Sequence, residues 1–109
     1  MLFGKKSEKV KRLGMKEAAA QLAQGGDICL IDARTPEEYR EGHIPGSLNL
    51  PLGSEDGVAA LAPHKDRRVF VYCQSGMRSA QSAAQLVKMG YTDVTNIGGI
   101  MSWTGSIQR

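Results

Sequence analysis

Two short runs of consecutive apolar residues set the strongest limit on the fold of this 109-residue chain. Residues 28–31 read Ile-Cys-Leu-Ile, and a second predicted strand over residues 68–72 contains Val-Phe-Val-Tyr. A strand that is apolar at successive positions is covered on both faces, which is typical of a parallel sheet. The chain is long enough for one modest core, so we predict a single α/β domain built on such a sheet.

Helix-forming segments alternate with these strands. Residues 15–24 are rich in helix formers and end at Gly25-Gly26. In the segment that begins at Thr35, a capping residue is followed by Pro36 and two acids, which is typical of a helix start. Further helices are predicted over residues 54–62 and 79–89, the latter with a buried stripe of Ala80, Ala83, Ala84 and Val87. Short strands are predicted over residues 47–50 and 94–97, the last followed by a turn at Gly98-Gly99.

The positive net charge of +3 comes from the N-terminus. Residues 1–16 hold six basic side chains and one acidic side chain. The rest of the chain holds eight basic and ten acidic side chains. We predict a basic leader over residues 1–14 and a domain over residues 15–109. The leader lacks interleaved aromatic residues or a binding motif, so we do not expect nucleic acid as a partner. Apolar runs are too short for a signal peptide or a membrane span, and we expect a cytoplasmic monomer.

Cys73 ends the second apolar strand, and a predicted helix follows a short loop. Gly76 permits the backbone angles that turn loop amides toward one point, and the helix N-terminus adds positive potential there. Arg78 adds a guanidinium suited to two-point contact with an oxyanion. Such surroundings favour a thiolate nucleophile. Lowering a thiol pKa from about 8.5 to about 6.5 takes about 2.7 kcal/mol, and the loop amides, the helix and Arg78 together can supply that free energy. We predict that Cys73 is catalytic and that substrate is bound by Gln74, Ser75, Gly76, Met77, Arg78 and Ser79.

Two further polar residues follow the first apolar strand. Asp32 and Arg34 lie where parallel strands end, so topology places them near Cys73. An ion pair that fixes the loop accounts for both, and we assign them a supporting role. His43 is interpreted as a turn-stabilising residue and His64 as part of a surface loop.

The second cysteine and the tryptophan are interpreted as structural. Cys29 lies mid-strand and is expected to be buried and inert. The two cysteines form no Cys-x-x-Cys pair and have no histidine at ligand spacing, so no metal site is predicted. Trp103, with Ile100, is expected to close the core. Met77 either shapes the mouth of the site or fills space.

Four blocks of sequence carry a family resemblance. They cover residues 30–39, 42–51, 73–79 and 96–103, and they read LIDARTPEEY, GHIPGSLNLP, CQSGMRS and NIGGIMSW. In this order and over most of the chain, they resemble the single-domain rhodanese family of sulfurtransferases. The resemblance implies a three-layer α/β/α sandwich around a central, mostly parallel sheet of about five strands.

The resemblance also implies a mechanism. Cys73 would take sulfane sulfur from a small donor such as thiosulfate or a persulfide, hold it as a persulfide, and pass it to a thiol or cyanide. Arg78 and the loop amides would stabilise the departing oxyanion or the persulfide. No metal or organic cofactor is implied.

Two alternatives remain open. The first is a sulfur carrier or regulatory module that delivers its persulfide to a protein partner without appreciable turnover. The second, an arsenate reductase or phosphatase, is disfavoured by loop length. Related loops in those enzymes have five residues between cysteine and arginine, whereas four intervene here, Gln74 to Met77.

Overall fold

Five parallel strands form the centre of the protein in a computed structural model that describes residues 9–109. The elements in chain order are β1 (Lys11–Arg12), α1 (Met15–Ala23), β2 (Ile28–Asp32), α2 (Pro36–Glu41), β3 (Leu48–Asn49), α3 (Val58–Leu61), β4 (Arg68–Cys73), α4 (Met77–Lys88) and β5 (Val94–Gly99). Short 3-10 helices lie at Glu55–Gly57 and Ile100–Ser102.

The strand order β1-β5-β4-β2-β3 places β4 at the middle of the sheet. Each neighbouring pair is parallel, so the carboxyl ends of β2, β4 and β5 lie at one edge. Cys73 is the last residue of the central strand and pairs in register with Gly99. The topology thus puts the predicted nucleophile where open parallel sheets place their ligand sites.

Strand β4 sends alternate side chains into two separate cores. Val69 and Val71 face a cluster that includes residues of α3 and α4. Phe70 and Tyr72 face a second cluster that includes residues of α1. Helices therefore cover both faces of the sheet, which confirms the predicted three-layer α/β/α fold and explains why the strand is apolar at successive positions.

Helix α4 differs from its prediction in start and in buried face. It begins at Met77 rather than at Ser79, with Gly76 in the left-handed region at φ 106° as its N-cap. The predicted stripe is right for Ala83 and Val87, but Ala80 and Ala84 are exposed. The other buried positions of α4 are Ser79, Ser82 and Leu86. A prediction from apolarity alone missed Ser79 and Ser82, which are small enough to be fully buried on this face.

Strand β5 also exceeds its predicted length. It continues through Gly98 and Gly99, where we predicted a turn, and its register against β4 shifts between Val71 and Tyr72. Glycines weaken a strand, but they let another backbone approach closely, and the cysteine loop lies against them.

The segment predicted as a leader contributes to the sheet. Lys11 and Arg12 form β1 and pair with Thr95 and Asn96 of β5. An exposed edge strand of two residues adds backbone hydrogen bonds without an apolar pattern, so hydropathy gave no sign of it. Residues 1–8 of the predicted leader lie outside the described residues.

The predicted helix over residues 54–62 is divided. A 3-10 turn at Glu55–Gly57 leads into the single turn of α3, which ends before Pro63. Within residues 9–109, no helix combines the length and apolarity that crossing a bilayer requires.

Candidate functional site

The sulfur of Cys73 lies beneath the loop that joins β4 to α4. The backbone amide of Gly76 donates a hydrogen bond to Sγ at 3.0 Å. The residue exposes 1% of its surface, so a reactant has to approach Sγ through the surrounding loop. Because α4 begins at Met77, the positive end of the helix is closer to the sulfur than the sequence predicted.

Donors around Cys73 favour its ionised form. Burial by itself raises the pKa of the thiol. Hydrogen bonds from the Ser79 side chain and from the amides of Ser79, Gly76 and Ser75 outweigh burial, and the pKa of Cys73 is lowered from its ordinary value. The amide of Gly76 is the donor whose hydrogen-bond geometry to Sγ is complete, and the hydroxyl of Ser79 is directed to Asn96.

Gln74 and Met77, two of the three remaining residues of the predicted set, have different surroundings. The carbonyl of Gln74 accepts a hydrogen bond from the amide of Met101 at 3.4 Å. The side chain of Met77 is 73% exposed and Met101 is 70% exposed. Two methionines that flank the loop, one at the start of α4 and one bonded to the loop through its amide, are therefore exposed to solvent.

Arg78 is held by a carboxylate that the sequence analysis did not include in the site. Its Nη1 and Nη2 donate to Oε1 and Oε2 of Glu38 at 2.8 and 3.0 Å. This pairing raises the pKa of Arg78, and it lowers the pKa of Glu38 to about 2. One two-point face of the guanidinium, formed by Nη1 and Nη2, is taken up by Glu38, whereas we expected the guanidinium to meet an oxyanion.

Glu38 also fixes the start of α2. Its Oε1 accepts from the backbone amide of Thr35 at 3.0 Å, and Thr35 Oγ1 caps the amide of Glu38 in return. The sequence predicted that Thr35 caps this helix. The structure shows in addition that Glu38 bonds back to Thr35, which makes the arrangement a capping box. A single carboxylate therefore links the α2 cap to the end of the cysteine loop.

Asp32 and Arg34 form a buried ion pair near the strand ends. Arg34 Nη2 donates to Asp32 Oδ2 at 2.8 Å and to the carbonyl of Gly42 at 2.6 Å. The backbone amide of Arg34 donates to Asp32 Oδ1 at 2.8 Å. Asn49 bridges the carbonyls of both residues. These contacts hold neighbouring loops together, as a supporting role requires.

The remaining candidates have structural surroundings. His43 Nδ1 lies 2.7 Å from the carbonyl of Tyr39, and the two rings stack at 3.7 Å. His64 is exposed in the loop before β4. Cys29 is buried in the core and burial raises the pKa of its thiol, so it differs from Cys73 in its surroundings. Trp103 and Ile100 pack, partly buried, against the α1-side core.

Asn96 is, after Glu38, a second residue of the site that the sequence analysis did not include. Its Nδ2 donates to the carbonyl of Gly76 at 3.2 Å, and its Oδ1 accepts from Ser79 Oγ at 2.7 Å. The same oxygen accepts from the amide of Gly98 at 3.1 Å. An amide side chain in a strand, just ahead of two glycines, was the available signal.

Several known proteins are similar to this chain in sequence and in fold. The family model of the rhodanese-like domain matches residues 15–106. A sulfurtransferase of Allochromatium vinosum is 40% identical over 95 residues, covering 86% of this chain and 88% of that protein. The thiosulfate sulfurtransferase PspE of Escherichia coli is 42% identical over 71 residues, covering 64% and 68%.

A solved structure agrees with these matches. It is described as a rhodanese with anions from Escherichia coli, and it is 36% identical to this chain with a TM-score of 0.71. The alignment covers 75% of this chain and 98% of that one. On the sequence blocks, the parallel sheet and these matches, the chain belongs to the rhodanese-like domain family.

Proposed function

We propose that this protein is a sulfurtransferase that carries sulfane sulfur as a persulfide on Cys73. The observation that carries the proposal is the position of Cys73 at the end of the central strand, where the amide of Gly76 donates to Sγ at 3.0 Å and the pKa of the thiol is lowered despite its burial. A thiolate is the reactive form of cysteine, and Cys73 has more of it at neutral pH than an ordinary thiol. The relatives named as sulfurtransferases support the same chemistry.

Transfer proceeds in two half-reactions. The Cys73 thiolate attacks the sulfane sulfur of a donor, a new S–S bond forms, and the donor's own bond to that sulfur breaks. With thiosulfate the leaving group is sulfite, which departs with the electron pair. A thiophilic acceptor then takes the outer sulfur and returns the thiolate. The amides that hold the thiolate are also placed to stabilise the terminal sulfur of the persulfide.

A mass measurement followed by turnover tests this proposal. Incubation with thiosulfate should add one sulfur to Cys73, and cyanide should then release it as thiocyanate with multiple turnovers. Cys73→Ser should abolish both, whereas Cys29→Ser should leave both intact because Cys29 is buried in the core. Absence of an adduct from thiosulfate and from an organic persulfide would contradict the proposal, as would failure of iodoacetamide to reach Cys73.

A carrier role is the second candidate, and the exposed methionines favour it. Met77 and Met101 lie beside the loop with large apolar surfaces in solvent, and methionine suits adaptable contacts with a protein partner. A carrier would form the adduct and release it slowly to cyanide, whereas an enzyme would turn over. Hydrolysis of a phosphate ester without any sulfur adduct would indicate the phosphatase alternative instead.

A further inference from the structure

Two arginines near the site are each paired with a carboxylate. Arg34 is paired with Asp32 at 2.8 Å, and Arg78 is paired with Glu38 through two hydrogen bonds. The side chains of Arg78 and Glu38 are 34% and 32% exposed, so this second pair lies at the surface of the site rather than deep within it. An incoming donor therefore meets a neutral pair and not a lone guanidinium.

We propose that Glu38 determines which sulfur donor the protein prefers, by occupying Arg78 and disfavouring dianionic thiosulfate relative to an organic persulfide. This inference rests on the proposed sulfurtransferase function. Glu38 does not contact the reacting atoms and acts through Arg78, so it is a specificity residue and not a catalytic one. The preferred donor is a thiol-borne persulfide, R–S–SH.

The two donors place their charge differently. Attack on thiosulfate breaks the S–S bond to sulfite, which leaves with two negative charges and the bonding electron pair. A guanidinium beside the site would stabilise that charge, but Glu38 uses one two-point face of Arg78 and brings a negative charge of its own. The pair therefore stabilises a dianionic leaving group less than an unpaired Arg78 would.

An organic persulfide makes a smaller electrostatic demand. The Cys73 thiolate attacks the outer sulfur of R–S–SH, the S–S bond breaks, and R–S⁻ leaves with the electron pair and a single charge. The products are the Cys73 persulfide, which keeps the transferred sulfur and its proton, and the donor thiolate. Loop amides can stabilise one charge on sulfur without Arg78, because the Gly76 amide already bonds Sγ at 3.0 Å.

The exposed side chains next to the loop fit an organic donor. Met77 at the start of α4 is 73% exposed, and Met101, whose amide bonds the loop carbonyl of Gln74, is 70% exposed. Their thioether side chains offer apolar, polarisable contacts to the R group of a persulfide. Inorganic thiosulfate has no such group and gains nothing from them.

Glu38→Gln tests the inference with little effect on the fold. Glutamine at this position retains an oxygen for the Thr35 amide, so the capping box is kept while the charge is removed. Glu37→Gln is the matched control. It removes the same charge from the exposed neighbouring residue, but it leaves the bond between Arg78 and Glu38 in place. Thermal unfolding of both variants verifies that they fold.

The readout is the ratio of kcat/KM for thiosulfate to kcat/KM for the persulfide of 2-mercaptoethanol, an R–S–SH donor whose R group carries no charge. We expect this ratio to rise about tenfold in Glu38→Gln, equivalent to about 1.4 kcal/mol, mainly through a lower KM for thiosulfate. Glu37→Gln should change it less than about twofold. An unchanged or lower ratio in Glu38→Gln, or an equal rise in both variants, would overturn the inference. If Cys73 in the parent protein takes sulfur from neither donor, the proposed function itself fails.

Discussion

The backbone of Gly99 lies directly against the backbone of Gln74 at the base of the cysteine loop. A Cβ on Gly99 would overlap the Gln74 carbonyl oxygen and lie 2.6 Å from Cα of Ser75. Gly98 makes a similar approach to Gly76, whose added Cβ would stand 3.3 Å from Gly98 Cα. The absence of a side chain at Gly99 and at Gly76 thus lets the loop lie close to the end of β5.

Gly99→Ala should displace the loop and reduce sulfur transfer. The new methyl group would meet backbone atoms, which cannot turn aside as a flexible side chain can, and overpacking of this kind costs about 1–3 kcal/mol. We expect at least a tenfold loss of kcat/KM and a lower urea midpoint. Gly57→Ala is the control, because its Cβ would make an ordinary 3.4 Å contact with Leu50. Full activity in Gly99→Ala would show that the close approach is not needed.

Ser79→Ala should raise the pKa of Cys73. The Ser79 hydroxyl has one proton, which in the structure is donated to Asn96 Oδ1 at 2.7 Å. A thiolate is a charged and stronger acceptor, and the Ser79 side chain is among the donors that lower the pKa of Cys73. The rate of iodoacetamide alkylation against pH should have its midpoint at higher pH in the variant. Ser82→Ala, also buried on α4, should leave that midpoint in place.

The pair of Glu38 with Arg78 should make stability depend on acid pH. The pKa of Glu38 is about 2 in the folded chain, below its ordinary value of 4.5. Its contribution is therefore fully present above pH 4.5 and is lost as the pH falls toward 2. Because both side chains are about one-third exposed, we expect a contribution of about 1 kcal/mol or less. Urea unfolding of the parent and of Glu38→Gln should differ at pH 6 and converge near pH 2.

Asp32→Asn should destabilise the protein more than any surface charge change. It would leave the Arg34 guanidinium buried and without its carboxylate, which typically costs about 3–5 kcal/mol. Asp66→Asn is the control, since Asp66 is exposed. Denaturant unfolding would measure both changes. A loss below about 1 kcal/mol for Asp32→Asn would contradict the supporting role of the pair.

Local sequence alone predicted most of the elements and placed Cys73, the proposed nucleophile, at the end of β4. Apolar runs that continue through successive residues, as at Val69 to Tyr72, predicted buried parallel strands, and a residue that ends such a strand lies at the ligand edge by topology. The Thr35-Pro36-Glu37-Glu38 start of α2 was predicted correctly because caps depend on residues a few positions apart. The same locality holds for Gly76, whose positive φ turns the chain into α4.

Tertiary structure decided what each polar group near the sulfur contacts. Glu38 and Arg78 are forty positions apart, and Asn96 reaches Gly76 and Ser79 from another strand, so no local pattern joins them. Whether Arg78 faces a substrate or a carboxylate depends on how α2 and α4 are placed on the sheet. Sequence determines which groups can carry charge or donate hydrogen bonds, but pairing energies fall steeply with distance, so the fold determines which of them interact.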